Sequence, residues 1–133
     1  MIEMELNKII IDEKRQDQVI VLKEKNGVKT LTIVIGLLEA SSIKMKLSGI
    51  KAPRPLTHDL LYSIIESLQA KVEKIVIDKL ENNTFYAKIC IASENQETKI
   101  IDARPSDSIA LAVRAKAPIF VEEEVLEQSA KYK

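Results

Sequence analysis

Two short stretches of the sequence place arginine, proline and aspartate directly before a predicted helix. They are PRPLTHDLL at residues 53–61 and IDARPSDSIAL at residues 101–111. Proline fixes its own φ at about −65° and keeps the preceding residue extended, so Arg54 and Arg104 each lie on a stiff segment that leads into a helix. A helix start carries unpaired N–H groups, and together with an arginine it is suited to binding a phosphate or a carboxylate.

The carboxylates of these stretches, Asp59, Asp102 and Asp107, limit what the arginines can bind. A carboxylate repels an anionic ligand unless a cation lies between them, so the combination favours either arginine–aspartate ion pairs or aspartates that hold a hard divalent metal ion. Asp59 and Asp107 also fall in first helical turns, where an acid stabilises the helix by about 0.3–1 kcal/mol with no further role. These interpretations stay open on the residues alone.

His58 is the single histidine of the chain, and it lies at the start of a predicted helix. The positive end of the helix dipole favours its neutral form, which makes the ring available as a base or a ligand, although a lone histidine can equally be incidental. Thr57 and Ser106 are the predicted N-caps of the two helices. Both helix starts therefore combine a capping residue with groups that can do chemistry.

Glu39 is a further candidate, because it lies beside the apolar stripe of an earlier predicted helix. A partly buried carboxylate at that place needs a partner, and Arg54 or Arg104 can supply one. Since segments 54–59 and 102–107 each bring arginine and aspartate to a helix start, we expect them to meet in one composite site.

Other chemical signatures are absent from the sequence. It has no glycine-rich phosphate loop, no zinc-spaced cysteines and histidines and no nucleophile elbow, and one histidine excludes a multi-histidine metal site. The lone Cys90 lies between isoleucines in a strand-like run, which favours inert packing.

Composition predicts an ordinary globular domain of 133 residues. Twenty lysines and arginines balance twenty acids, and aromatic residues make up 4%, so a nucleic acid must be bound by a local patch rather than by bulk charge or base stacking. No apolar run is long enough to span a membrane and the first residues do not resemble a targeting segment, so we expect a cytoplasmic protein.

The order of predicted elements indicates an α+β domain with an internal duplication of residues 1–66 and 67–133. Strand-like runs cover residues 4–11, 18–24, 29–35, 72–80, 84–92 and 97–103, and helical runs cover residues 37–48, 57–70, 106–116 and 122–130. Each half reads as βββαα. Ser42-Ile43 and Ser108-Ile109 lie 66 residues apart, and two Lys-Ala-Pro helix ends lie 65 apart.

The stretches PRPLTHDLL, DARPSDSIALAVRAKAPIFV, GLLEA at 36–40 and TFYAKI at 84–89 resemble the bifunctional nuclease family. The resemblance implies one curved, barrel-like mixed sheet with flanking helices, and an activity like that of plant members, which are described as cleaving both RNA and DNA. The residues that match its motifs are Glu39, Arg54, Thr57, His58, Asp59, Asp102, Arg104, Ser106 and Asp107.

From these residues we hypothesise a metal-assisted hydrolysis of phosphodiester bonds without base specificity. Asp59, Asp102 and Asp107 would hold Mg²⁺ or Mn²⁺, His58 would take or relay a proton, and Arg54 and Arg104 would bind the phosphate. Asp59 and Asp107 are thus also catalytic candidates, with Glu39, Thr57 and Ser106 in support. No organic cofactor is expected.

A non-enzymatic module is the alternative. In that case the arginines and aspartates form a structural ion-pair network or bind a small anionic regulator. We also expect a homodimer, because exposed strands at the ends of the sheet invite pairing and a small domain needs more surface to hold a polymer.

Overall fold

The computed structural model describes residues 1–12, 14, 17–95 and 97–130, which form seven strands and four helices. In chain order these are β1 (Ile2–Ile10), β2 (Asp17–Glu24), β3 (Thr30–Gly36), α1 (Leu37–Leu47), α2 (Thr57–Ser67), β4 (Ala70–Glu81), β5 (Thr84–Ser93), β6 (Thr98–Ala103), α3 (Pro105–Ala115), β7 (Ile119–Val121) and α4 (Glu123–Ala130). All but β7 fall close to predicted ranges. A three-residue strand is too short to show an alternating pattern, which is why β7 was not predicted.

The strands form one mixed sheet in the order β3-β2-β1-β7-β4-β5-β6. Neighbours are antiparallel except for β4 and β7, which are parallel. Register shifts in β1 and β4 are bulges, and bulges bend the strands that carry them. The α+β class and the curved sheet with flanking helices are confirmed. The sheet does not close into a barrel, however, because the strands at its two ends, β3 and β6, do not pair with each other.

The two halves share one strand order. In each, three consecutive strands form an antiparallel meander, and β7 lies between the two meanders, pairing with β1 on one side and β4 on the other. The segment at 48–56, between α1 and α2, contains no strand that would correspond to β7. The duplication of residues 1–66 and 67–133 stays a prediction, and residues 131–133 of its second half lie outside the described part of the chain.

Helix α3 lies deepest of the elements that carry candidate site residues, with eight of its eleven residues buried. Its alanines Ala110 and Ala112 are almost fully buried, so the helix backbone packs closely on its neighbours. Helix α2 packs differently from its sequence pattern. Its apolar residues Leu60, Leu61, Ile64, Ile65 and Leu68 follow helical spacing, and this spacing predicts one apolar face that packs on the core. Only Ile65 of these is buried, and the other four are 37–73% exposed.

None of the helices formed by the described residues is both long enough and apolar enough to cross a bilayer.

Candidate functional site

The start of α2 is held by an aspartate rather than by the predicted threonine cap. Leu56 is the N-cap, and its backbone N–H donates to Asp59 Oδ2 at 2.9 Å. Thr57 is the first helical residue and is exposed, so the prediction that it caps the helix is wrong. Asp59 thus fixes the path of the chain into α2 from inside the helix, and this orients His58, whose side chain is buried.

The start of α3 also differs from prediction in its cap. Arg104 is the N-cap and Pro105 occupies the first helical position, where a missing N–H costs nothing. Ser106, predicted as the cap, is instead buried inside the first turn. The extended backbone of Arg104 before proline is as expected, and it leaves the guanidinium 67% exposed beside Asp107.

The two segments meet, as predicted. His58 Nε2 lies 2.9 Å from Asp107 Oδ1, which joins the start of α2 to the start of α3. The second oxygen of the same carboxylate, Asp107 Oδ2, accepts a hydrogen bond of 2.8 Å from Arg104 Nε. Asp107 is therefore held from two sides, by a buried imidazole and by an exposed guanidinium.

Glu39 joins this cluster through Arg104, one of its two predicted partners. Arg104 Nη1 lies 3.4 Å from Glu39 Oε1. Glu39 is mostly buried in the first turn of α1, over Gly36, where a Cβ would lie only 2.8 Å from its Oε2. The glycine of the GLLEA stretch thus leaves room for the carboxylate that holds the far side of Arg104.

His58 makes its second contact inside the protein, with Ser42 of α1. The distance from Ser42 Oγ to His58 Nδ1 is 2.8 Å, and Ser42 Oγ also accepts a hydrogen bond of 3.0 Å from Arg114 Nη2. Because the Asp107 carboxylate can only accept, Nε2 of His58 carries a proton and donates it to Asp107. In a neutral ring Nδ1 then accepts the proton of Ser42 Oγ. Both ring nitrogens are occupied.

The contacts described so far, together with those of Arg114, form one network of side chains: Glu39, Ser42, His58, Asp59, Arg104, Asp107 and Arg114. Arg114 is the buried centre of this network and was not identified from the sequence. Its side chain is 4% exposed, and its Nε donates to Asp59 Oδ1 at 2.7 Å. Further bonds go to the carbonyl of Ala110 and to Ser42. The spacing of seven residues between Asp107 and Arg114 was the available signal, since it places both on one face of α3. For Ser42, the match to Ser108 in the repeat was the available signal.

The electrostatics keep both carboxylates of the network ionised at neutral pH. The hydrogen bond from Arg114 and then the bond from the Leu56 N–H lower the pKa of Asp59. Burial raises the pKa of Asp107, but the bonds from Arg104 and His58 outweigh it, and the net pKa is lowered. In turn, the bond to Asp107 raises the pKa of Arg104. Each of these carboxylates is therefore paired with an arginine, Asp59 with Arg114 and Asp107 with Arg104.

Four of the predicted site residues, Arg54, Thr57, Asp102 and Ser106, make none of the bonds described for this network. Asp102 is 80% exposed on β6 and pairs with Lys88 at 3.3 Å. Arg54 is exposed and lines a separate cavity of about 370 Å³ beside Asp59 and Arg114. A second cavity, of about 470 Å³, lies where Arg104 and Ser106 face β3. The network therefore runs between two surface cavities.

These positions do not fit a metal ion shared by Asp59, Asp102 and Asp107. The described residues contain no group of three or more acidic, histidine or cysteine side chains that could hold one. Asp59 and Asp107 are each bound by an arginine instead, and Asp102 by Lys88. A role for Mg²⁺ or Mn²⁺ stays a prediction.

Comparison with known proteins adds to this geometry. Residues 20–133 match the bifunctional nuclease domain. An uncharacterized protein of Mycobacterium tuberculosis is 40% identical over 91% of this chain and 71% of its own length. Bifunctional nuclease 1 and bifunctional nuclease 2 of Oryza sativa are 31% and 30% identical over 77% and 84% of this chain, which spans only 32% and 35% of their lengths. The chain therefore belongs to the bifunctional nuclease domain family.

Proposed function

We propose that this protein hydrolyses phosphodiester bonds of nucleic acids where the start of α2 meets the start of α3. The observation that carries the proposal is the contact from His58 to Asp107 to Arg104, in which a buried ring and an exposed guanidinium hold one partly exposed carboxylate. The names of the rice relatives, which are bifunctional nucleases, support the choice of reaction.

Arg104 is the residue that would contact the phosphate. Its Nε is used by Asp107 and its Nη1 by Glu39, so the guanidinium is fixed while its remaining N–H groups are available. Donors that are already oriented stabilise the charge that develops on a phosphate without a reorganisation cost. Contact through phosphate alone would make cleavage indifferent to base and sugar, which is the expected non-specific behaviour.

Asp107 would act on the attacking water. It is ionised and its side chain is 30% exposed, whereas His58 is buried with both nitrogens bonded. Asp107 can accept a hydrogen bond from water and take its proton as the water oxygen bonds to phosphorus, while the Nε2–H of His58 holds the carboxylate in place. The P–O bond to the leaving oxygen then breaks, and this oxygen takes a proton from Asp107 or from solvent. We thus assign His58 a positioning role: a proton can reach its ring only by way of Asp107 or Ser42.

The alternative, a structural or regulatory module, is favoured by a specific observation. Ser42, His58 and Arg114 are buried, and the hydroxyl of Ser42 is bonded to both of the others, which joins α1, α2 and α3. In a purely structural network the same bonds would serve only to hold the helices together. The two functions differ at the exposed end of the network: in a nuclease Arg104 and Asp107 act on a substrate, and in a structural module they do not.

Cleavage of fluorescent single-stranded and double-stranded DNA and RNA by the purified chain tests the proposal. We expect Asp107→Asn to lower turnover by about 10²-fold or more, the scale of lost acid–base help. The matched change Asp102→Asn, five residues earlier on β6, should leave turnover unchanged. If Asp102→Asn abolishes a cleavage that depends on added Mg²⁺ or Mn²⁺, the sequence-based metal site is correct and the present site is wrong. Full activity in Asp107→Asn also contradicts the proposal.

A further inference from the structure

A cavity lies between the end of α1 and the start of α2, on the side of the network opposite Arg104. We call it the α1–α2 cavity. It measures about 370 Å³ and is lined by Met45, Lys46, Gly49, Ile50, Lys51, Ala52, Pro53, Arg54, Pro55, Leu56, Asp59, Ser63 and Arg114. Small-molecule sites in proteins typically measure about 300–1,000 Å³, so the cavity is large enough for a ligand of nucleotide size.

The charge of the lining is strongly positive. Lys46, Lys51 and Arg54 are exposed, and within the described residues none of the three makes an ion pair or a side-chain hydrogen bond. The lining acid, Asp59, does not neutralise them, because both of its oxygens are used, by Arg114 and by the Leu56 N–H. The charge of Lys46 also lowers the pKa of Asp59, but four cationic side chains, Lys46, Lys51, Arg54 and Arg114, line the cavity against this single carboxylate, so the lining keeps an excess of positive charge.

The backbone around the cavity adds to this potential. Helix α2 starts at Thr57, and the unpaired N–H groups of its first turn give that end a partial positive charge. The end of α1 would oppose it with free carbonyls. There, however, the carbonyls of Lys44, Met45 and Lys46 accept bonds from the N–H groups that follow the helix. The opposing helix end is therefore partly neutralised.

The uncharged part of the lining is mostly apolar. It includes Met45, Ile50, Ala52, two prolines and Leu56, with the hydroxyl of Ser63 as its polar side chain and no aromatic side chain among these lining residues. Such a wall can pack against a sugar or the face of a base but cannot stack a base between rings. Binding energy would thus come mainly from the charged group of the ligand.

We propose that the α1–α2 cavity binds the phosphate of a nucleotide-sized ligand, and that Lys46, Lys51 and Arg54 are its binding residues. Charged donors on flexible side chains around a positively charged pocket match the oxygens of a phosphomonoester or a phosphodiester. The inference rests on the proposed function only where it identifies that ligand as nucleic acid. It assigns Arg54 to a phosphate site separate from the contact made by Arg104.

Calorimetric titration of the full chain tests the assignment with three probes: inorganic phosphate, adenosine 5′-monophosphate and a dinucleotide without a terminal phosphate. Binding of the monophosphate alone identifies a phosphomonoester site, and binding of the dinucleotide identifies a site for the nucleic-acid backbone. We expect Lys51→Glu and Arg54→Glu each to weaken binding about tenfold or more, since a bond to a charged group contributes on that scale. The matched control Lys23→Glu, at an exposed position of β2 that does not line the cavity, should bind as the parent does.

The proposal is overturned if the parent binds none of the three probes, or if Lys51→Glu and Arg54→Glu bind as tightly as Lys23→Glu. It is also overturned if Arg104→Ala removes binding, because the phosphate would then lie at the other end of the network. Binding and cleavage are measured separately. A parent that binds the probes but cleaves no substrate refutes the proposed nuclease and leaves the phosphate site standing.

Discussion

Replacing Arg114 by leucine tests whether the buried network holds the three helices together. The side chain is 4% exposed and donates to Asp59, to Ser42 and to the carbonyl of Ala110, so the substitution removes these bonds and leaves the Asp59 carboxylate without its arginine. Removing one partner of a buried ion pair typically costs about 3–5 kcal/mol. Because Asp59 is 39% exposed and water can replace part of what it loses, we expect the free energy of unfolding to fall by about 2–4 kcal/mol.

Urea unfolding of the parent and of two matched variants measures this loss. The control is Arg104→Leu, the same substitution at an arginine that is 67% exposed, where the expected loss is under about 1 kcal/mol. The reasoning fails if Arg114→Leu lies within about 0.5 kcal/mol of the parent, the range of an ordinary surface substitution. It also fails if the two variants lose equal amounts, because burial would then not determine the cost.

Three other predictions follow from particular contacts. Because the bonds from Arg114 and Leu56 lower the pKa of Asp59, the stability they contribute is complete above the ordinary carboxyl value of 3.8 and is lost as the pH falls through the lower folded value. The acid limb of a plot of unfolding free energy against pH should therefore be shallower in Asp59→Asn, and parallel limbs would contradict this. Thr57→Ala should change the unfolding free energy by less than about 0.5 kcal/mol, whereas a loss of about 1 kcal/mol would show that Thr57 caps α2 after all. We expect a homodimer through the exposed edge strands β3 and β6, so light scattering should give about twice the chain mass; a mass near 15.0 kDa at micromolar concentrations would contradict it.

Local patterns in the sequence were sufficient to predict every described strand except β7, the four described helices and where α2 and α3 begin to within a residue. The alternation of apolar residues in strands and their helical spacing in helices can be read from residues that are close in sequence. The Arg104-Pro105 pair likewise predicts an extended backbone at Arg104. The caps were harder, because Thr57 and Ser106 are good capping residues and only the observed backbone shows that Leu56 and Arg104 occupy those positions. Helix existence was thus more predictable than helix boundaries.

The partners within the site depend on contacts between distant parts of the chain. The sequence indicated that the segments around His58 and Asp107 meet, but it did not show which arginine binds Glu39 or that Arg114 binds Asp59 across 55 residues. A buried arginine has the same sequence signature as an exposed one.

The buried face of helix α2 was likewise not predictable from the sequence. Its apolar spacing predicted a face that packs on the core, yet the buried positions are His58 and Ile65, and Leu60 and Leu68 are exposed. Periodicity identifies an amphipathic helix but not which side the rest of the protein covers. At α2 the covered side is the one that places His58 against Ser42 and Asp107.

The rate of single-turnover cleavage by Arg104→Ala tests the central claim most directly, because Arg104 is exposed and its loss leaves the buried bonds among Ser42, His58 and Arg114 in place. A preoriented donor that stabilises transition-state charge is typically worth about 10²-fold to 10³-fold in rate. We predict a loss of that size with a melting temperature close to that of the parent. Cleavage of RNA and DNA at the parental rate by Arg104→Ala would contradict the assignment of this contact as the site of phosphodiester hydrolysis.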